Sequence, residues 1–179
     1  MRRRCVLVLV AATMIAVLGT GCAPVHVQSF TERDAPFAAA RSYRWADDGA
    51  RATGDPRLDS NPFFERRIMA AADAALRGRG FERRAADDAD LVLHYHASVS
   101  QALDTARIDR EFGVCAQCRV TSVYDAGTLM LDFVERRTNR LVWRGWAEGS
   151  IDGMVDDQAW LDAHIDRAAS RIVDRLRRP

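Results

Sequence analysis

The sequence has no lysine: all 26 of its basic residues are arginine, set against 25 acidic residues. Three of these arginines stand at positions 2–4, so the rest of the chain holds 23 basic and 25 acidic residues. Phosphate backbones are bound by clustered positive charge in excess, which a chain this close to neutrality lacks. We therefore expect no nucleic-acid partner, and we attribute the exclusive use of arginine mainly to nucleotide-composition bias.

A hydrophobic run long enough to cross a bilayer is also missing. A transmembrane helix needs roughly 20 apolar residues, whereas the run from Val6 to Leu18 is shorter and ends in Gly19-Thr20-Gly21, directly before Cys22. A basic start, a short apolar segment and small residues at a cleavage point form the three parts of a signal peptide. Residues 1–21 are therefore predicted to be an export signal.

The stretch Val17-Leu18-Gly19-Thr20-Gly21-Cys22 resembles the lipobox of bacterial lipoproteins. The resemblance implies that Cys22 becomes the first residue of the mature protein and carries acyl chains that hold it in a membrane. A lipobox usually has leucine where this chain has Gly19, so a plain secretory signal remains the alternative. Ala23 replaces the aspartate of inner-membrane retention signals, which implies an outer-membrane anchor with the domain facing the periplasm.

The composition of the chain does not indicate disorder. Hydrophobic residues make up 48% and charged residues 28% of the chain, as in ordinary globular proteins. The 158 residues left after position 21 suit one domain. Residues 23–40 show no clear period and are interrupted by Pro24 and Pro36, so residues 22–40 are predicted to be the lipidated cysteine and a tether, followed by a domain over 41–179.

Hydrophobic periodicity predicts two helices in this domain. The first begins near Ser60 or Asn61, has an apolar face from Phe64 to Leu76, and ends at Gly78 and Gly80. The second closes the chain, with Asp156 or Asp157 as its cap and an apolar stripe from Leu161 to Leu176. Residues 47–62 are turn-rich and predicted to be a surface loop.

Period-two alternation predicts strands at residues 41–45, 89–100, 127–135 and 141–149. The last two form an antiparallel hairpin around a polar turn that contains Asn139. Residues 101–118 are hard to assign, and we expect the neighbouring strands to extend into them as a long hairpin. The sequence therefore predicts an α+β fold with two layers: an antiparallel sheet of about four to five strands with two helices packed on one face.

Four segments in order resemble the motifs of a bacterial envelope lipoprotein family, DUF4136, a domain of unknown function. They are Leu76-Arg77-Gly78-Arg79-Gly80-Phe81, Ala89-Asp90-Leu91-Val92-Leu93-His94-Tyr95, Gly127-Thr128-Leu129-Met130-Leu131-Asp132 and Leu141-Val142-Trp143-Arg144-Gly145-Trp146-Ala147. The resemblance spans about residues 25–177. It implies an exported α+β domain, usually lipid-anchored, and supplies no catalytic residues.

Cys115 and Cys118 have a spacing that suits a dithiol redox site or half of a zinc site. Their flanks lack the helical period that follows the first cysteine of a thioredoxin-like site. In an oxidising compartment, we predict a small disulfide that pins a loop. Redox or metal use and free thiols remain the alternatives.

His94 and His96 are two residues apart, so they project from the same, wetter face of their strand. Two histidines are too few for a zinc site, and Cys115 and Cys118 could complete one only if their loop reached this strand. We predict that both histidines are polar residues on the exposed sheet face, and we expect no cofactor. The alternative is a periplasmic metal-binding or thiol-redox protein that uses all four residues.

Trp143, Trp146 and Trp160 could form a stacking platform for sugars, but tryptophans in a small domain mostly lie in its core. We predict that Trp143 and Trp160 lie in the core and that Trp146 lies on the opposite strand face. Asp152, Asp156 and Asp157 lack the spacing of a calcium loop and suit helix capping instead.

No motif in the sequence indicates a catalytic nucleophile or a glycine-rich phosphate loop. We therefore expect a non-enzymatic binding or interaction module at the outer membrane, held there by the lipid on Cys22, with an unknown envelope protein or ligand as partner. A hydrolase ranks last, because no motif supports it.

Overall fold

The computed structural model describes residues 25–33, 39–47, 52–85, 88–103 and 123–176. Within these ranges the chain forms six strands and three helices. The strands are β1 (His26–Thr31), β2 (Ser42–Trp45), β3 (Glu82–Arg83), β4 (Leu91–Leu103), β5 (Val123–Glu135) and β6 (Arg140–Ser150), and the helices are α1 (Pro56–Asp59), α2 (Phe64–Gly78) and α3 (Gln158–Asp174).

The six strands form one mixed sheet in the order β1-β6-β5-β4-β2-β3. β1, β6, β5 and β4 pair antiparallel, whereas β2 runs parallel to both β3 and β4. The α+β class is confirmed, and the predicted antiparallel sheet of about four to five strands is roughly consistent with the structure; the details differ, because the sheet has six strands and β2 forms parallel pairs with β3 and β4. The chain leaves β2, passes through α1 and α2, and returns in the same direction, as parallel neighbours require.

β1 lies in the segment that was predicted to be a tether. His26–Thr31 pairs antiparallel with β6, with Val27 opposite Ala147. Five of its six residues are exposed and only Val27 is half-buried, so an edge strand formed without the alternation that would have revealed it. The tether prediction is therefore wrong for these six residues.

Both long helices have the ends that the sequence indicated, with one difference. Gly80, at φ +74°, ends α2 in a Schellman motif, in which the Phe81 amide donates to the Leu76 carbonyl at 3.0 Å. Asp157 caps α3 by accepting hydrogen bonds from the amides of Ala159 and Trp160. The N-terminus of α2 at Phe63 has no side-chain cap; Asn61 instead accepts from the Phe63 amide at 2.9 Å.

The helices α2 and α3 lie side by side and run in the same direction. Arg67 pairs with Asp162 at 2.7 Å and Arg79 pairs with Asp174 at 2.8 Å, so both contacts join residues 95 positions apart. Their apolar stripes pack on one face of the sheet in a single core, as predicted. The largest fully buried side chains of that core include Tyr43, Ile68, Leu76, Leu93, Leu131, Phe133, Trp143 and Ile172.

Candidate functional site

The sheet face opposite the helices carries polar and aromatic side chains on its three central strands. Since the described helices pack on the other face, we call this one the open sheet face. Its centre consists of three rows of cross-strand neighbours: His94–Asp132–Arg144, His96–Met130–Trp146 and Ser98–Thr128–Glu148. β1 extends this face at the sheet edge, where Gln28 lies opposite Trp146.

Asp132 is a buried carboxylate in this face, only 4% exposed. Arg144 binds it with two hydrogen bonds, from Nε at 2.7 Å and from Nη2 at 2.6 Å. Two parallel bonds between planar groups fix the orientation of both side chains. The bonds to Asp132 also raise the pKa of the Arg144 guanidinium. The centre of the open sheet face is therefore a rigid ion pair.

His96 lies beside this ion pair, with its Nε2 3.6 Å from Oδ2 of Asp132. The arrangement does not resemble a metal site, because Arg144 already occupies both oxygens of that carboxylate. Among the described residues, no group of three or more histidine, cysteine, aspartate or glutamate side chains is placed to hold a metal ion. His94 and His96 are both half-buried on the open sheet face.

The tryptophans divide between core and surface in a way that was predicted only in part. Trp143 is fully buried, and Trp146 is half-buried on the opposite strand face. Trp160 is 59% exposed, so its predicted place in the core is wrong. It sits in the first turn of α3, outside the buried stripe of Leu161 and Ile165.

An apolar pocket of about 80 Å³ lies between the helices and the sheet. It is situated where both helices begin, and its walls include Val25, Phe64, Ile68, Ala97, Leu161 and Ala168. His164 contributes the notable polar group: its Nδ1 is 3.3 Å from the Trp160 carbonyl, while its Nε2 is buried without a hydrogen-bond partner. Burial, and secondly the charge of Arg167, lowers the pKa of His164.

The acidic residues near α3 have structural roles. Asp157 caps the helix, Asp156 lies 3.3 Å from Arg57, and Asp152 accepts a hydrogen bond from the Asp125 amide at 2.8 Å. Arg57 in turn binds Asp55, the cap of α1, at 2.7 Å. These contacts tie the segment before α3 to the short helix α1.

Comparison with known proteins identifies the family. The domain of unknown function DUF4136 matches residues 27–175. This chain belongs to the DUF4136 family. No curated protein matches the sequence.

Three solved structures are similar to this DUF4136 chain at low sequence identity. A DUF4136 family protein from Bacteroides thetaiotaomicron is 14% identical, with a TM-score of 0.45 over 82% of this chain and 95% of the other. PelC from the dodecamer of Paraburkholderia phytofirmans is 11% identical, with a TM-score of 0.48 over 84% of this chain and 96% of the other. A PDZ domain protein from Parabacteroides distasonis is 10% identical, with a TM-score of 0.47 over 83% of this chain and 35% of the other.

The three cysteines singled out in the sequence lie outside the described residues: Cys22, Cys115 and Cys118. The lipid anchor and the disulfide therefore stay predictions. Among the described residues, no helix is both long and apolar enough to span a bilayer. Sequence reasoning missed the Asp132–Arg144 pair and the pocket histidine His164. Alternation placed Asp132 on the polar side of its strand, but no sequence signal marked its partner.

Proposed function

We propose that this DUF4136 chain is a lipid-anchored protein of the bacterial envelope, whose domain is a non-enzymatic binding module that uses the open sheet face. The anchor rests on the likeness of Val17–Cys22 to a lipobox, and the outer-membrane location rests on Ala23. Acyl chains contribute roughly 0.8 kcal/mol for each buried methylene, so several chains on Cys22 would hold the domain firmly.

The observation that supports the binding role is the ion pair between the buried Asp132 and the partly exposed Arg144, at the centre of the sheet face that the described helices leave open. Desolvation of the buried Asp132 carboxylate offsets much of its attraction to Arg144, and apolar residues often replace such pairs without loss of stability. Its neighbours include Met130 and Trp146. Arginine, methionine and tryptophan are enriched at protein interfaces, where tryptophan and arginine often dominate the binding energy. This composition on a rigid sheet supports recognition of a partner by this face.

Site-specific photo-crosslinking in intact cells tests this role. A photoreactive amino acid replaces Gln28, which is exposed beside Trp146, or Ser170, which is exposed on α3. The proposal predicts discrete crosslinked products from position 28, which weaken when Trp146→Ala is added, and different or no products from position 170. The same products from both positions, or products from position 28 that Trp146→Ala leaves unchanged, would contradict it.

The metal-binding or thiol-redox alternative requires Cys115 and Cys118 to approach His94 and His96. No observation on the described residues favours it, since the carboxylate beside His96 is occupied by Arg144. Zinc at one equivalent in the purified protein would favour this alternative over the binding module.

A further inference from the structure

The apolar pocket lies at one end of the domain, which we call the helix-start end. Phe64 opens α2 and Leu161 lies in the first turn of α3, and both line the pocket. Val25 lines it too and directly precedes β1, whose first residue His26 pairs with Glu148. The pocket and Val25, the first described residue, therefore share one end of the molecule.

The chemistry of the pocket favours hydrocarbon over water. Its volume of about 80 Å³ is several times the roughly 10–15 Å³ that one water requires. Its walls are mostly aliphatic, and a water there finds too few polar partners to replace its hydrogen bonds in the bulk. The volume accommodates a part of an alkyl chain, and the rest of the chain can extend through the side of the pocket that opens to solvent.

His164 adds one polar contact to these walls. Because its Nδ1 faces the Trp160 carbonyl, that nitrogen carries the hydrogen, and the buried Nε2 is left as an acceptor without a donor. A ligand that carries a hydroxyl or amide N–H next to its apolar part would satisfy this atom. The pocket is therefore suited to an amphipathic molecule.

The short sequence separation from Cys22 limits how far such a molecule can lie from the pocket. Cys22 is three residues before Val25, and three extended residues span at most about 10 Å. Acyl chains on Cys22 would thus begin within about 10 Å of the pocket wall. Trp160 and Phe63, which are 59% and 57% exposed, stand at the starts of the two helices at the same end. Of these two, the tryptophan is of the kind that favours the boundary between water and lipid.

We propose that this pocket holds part of an acyl chain whose neighbouring hydroxyl or amide donates to Nε2 of His164. The chain comes from one of two sources: the lipid on Cys22, which rests on the anchor proposed above, or a lipid of the membrane itself.

Photoactivatable fatty acids test the proposal on the full chain in its own membrane. Cells that express the protein incorporate a diazirine fatty acid, are illuminated, and the adducts are mapped by mass spectrometry. We expect adducts on the pocket-lining parts of α2 and α3, around Ile68 and Ile165. The attached mass separates the sources, since the lipid on Cys22 adds the N-terminal peptide and a membrane lipid adds a phospholipid.

Two matched variants of α3 control the test. Ala168→Phe fills the pocket from its wall, whereas Ala163→Phe adds the same ring to the exposed side of the helix. The adducts should be lost in the first and kept in the second. If Ala168→Phe does not fold, as judged by circular dichroism, Ala97→Leu on β4 fills the same pocket.

Two results would overturn the proposal that this pocket binds an acyl chain. One is the absence of adducts on its walls in the unaltered chain, and the other is adducts that persist in a folded pocket-filling variant. An N-terminal peptide without acyl groups would overturn the proposed anchor alone. In that case, the phospholipid adduct decides whether the pocket binds lipid.

Discussion

Asp132 is the one buried residue in the three central rows of the open sheet face. Its side chain is 6% exposed, whereas that of Arg144 is 39% exposed. The two partners therefore differ in what their loss leaves behind. Without Asp132, the arginine can reach water, but without Arg144 the buried carboxylate loses both of its charged hydrogen bonds and keeps His96 beside it, at 3.6 Å.

This asymmetry predicts unequal effects on stability. We expect Arg144→Ala to lower the free energy of unfolding by about 2 kcal/mol and Asp132→Ala by about 1 kcal/mol, values reduced for the solvent exposure of Arg144. The double variant should lose less than the sum of the two, since each single change already breaks the pair. Urea denaturation of all four proteins measures this, and strictly additive losses would show that the two residues do not interact.

Gly145 is a position where the core leaves no space for a side chain. A Cβ there would lie 2.7 Å from Cγ2 of Ile172 on α3 and against the ring of Trp143. We expect Gly145→Ala to destabilise the domain by about 1–3 kcal/mol through overpacking. Gly78, at the end of α2, has nothing within 4 Å of its added Cβ.

Gly78→Ala is the matched control for Gly145→Ala. We expect it to stabilise the domain by about 0.5 kcal/mol, because alanine favours helix over glycine. Thermal unfolding should thus shift in opposite directions for the two variants. A neutral Gly145→Ala would mean that β6 and α3 are less closely packed than the structure indicates.

At the level of single residues, alternation predicted on which side of the sheet a side chain lies, but it did not predict which residue that side chain contacts. The apolar positions Leu91 and Leu93 are buried, as their pattern indicated, and His94 lies on the opposite face. The Asp132–Arg144 contact depends on the register between β5 and β6, which contains an irregularity at Phe133/Val134. Period-two patterns do not determine such a shift.

Among the elements, α3 begins at Asp157, one of the two residues that the sequence predicted as its N-cap. Asp157 accepts from the amides of Ala159 and Trp160 at 3.0 and 3.1 Å. We expect Asp157→Ala to cost about 1 kcal/mol of stability. Asp156→Ala, which removes an exposed contact with Arg57, should cost less than about 0.5 kcal/mol. Equal losses in chemical denaturation would argue against the cap.

The elements that sequence reasoning missed are short or lie at edges. α1 has four residues within a turn-rich stretch, and its buried Leu58 has no helical repeat around it. β1 exposes nearly every side chain on the edge of the sheet. The long elements α2, α3, β4, β5 and β6 were foreseen because one face of each is buried in the core, which imposes a regular hydrophobic period.

On the scale of the whole molecule, several features meet at the helix-start end. The helices run parallel, so their exposed aromatic residues Phe63 and Trp160 stand at the same end as Val25. An anchor on Cys22 would bring this end to the membrane. The open sheet face would then stand at the side of the domain, accessible to a partner in the periplasm.

The mass of the N-terminal peptide tests whether Cys22 holds this domain at a membrane. The protein is isolated from cell envelopes and digested, and its first peptide is identified by mass spectrometry. We expect the untreated protein to give a peptide that begins at Cys22 and carries acyl chains. When globomycin inhibits lipoprotein processing, the protein should instead retain residues 1–21. A mature peptide with an unmodified Cys22, or one whose start is insensitive to the inhibitor, would contradict it.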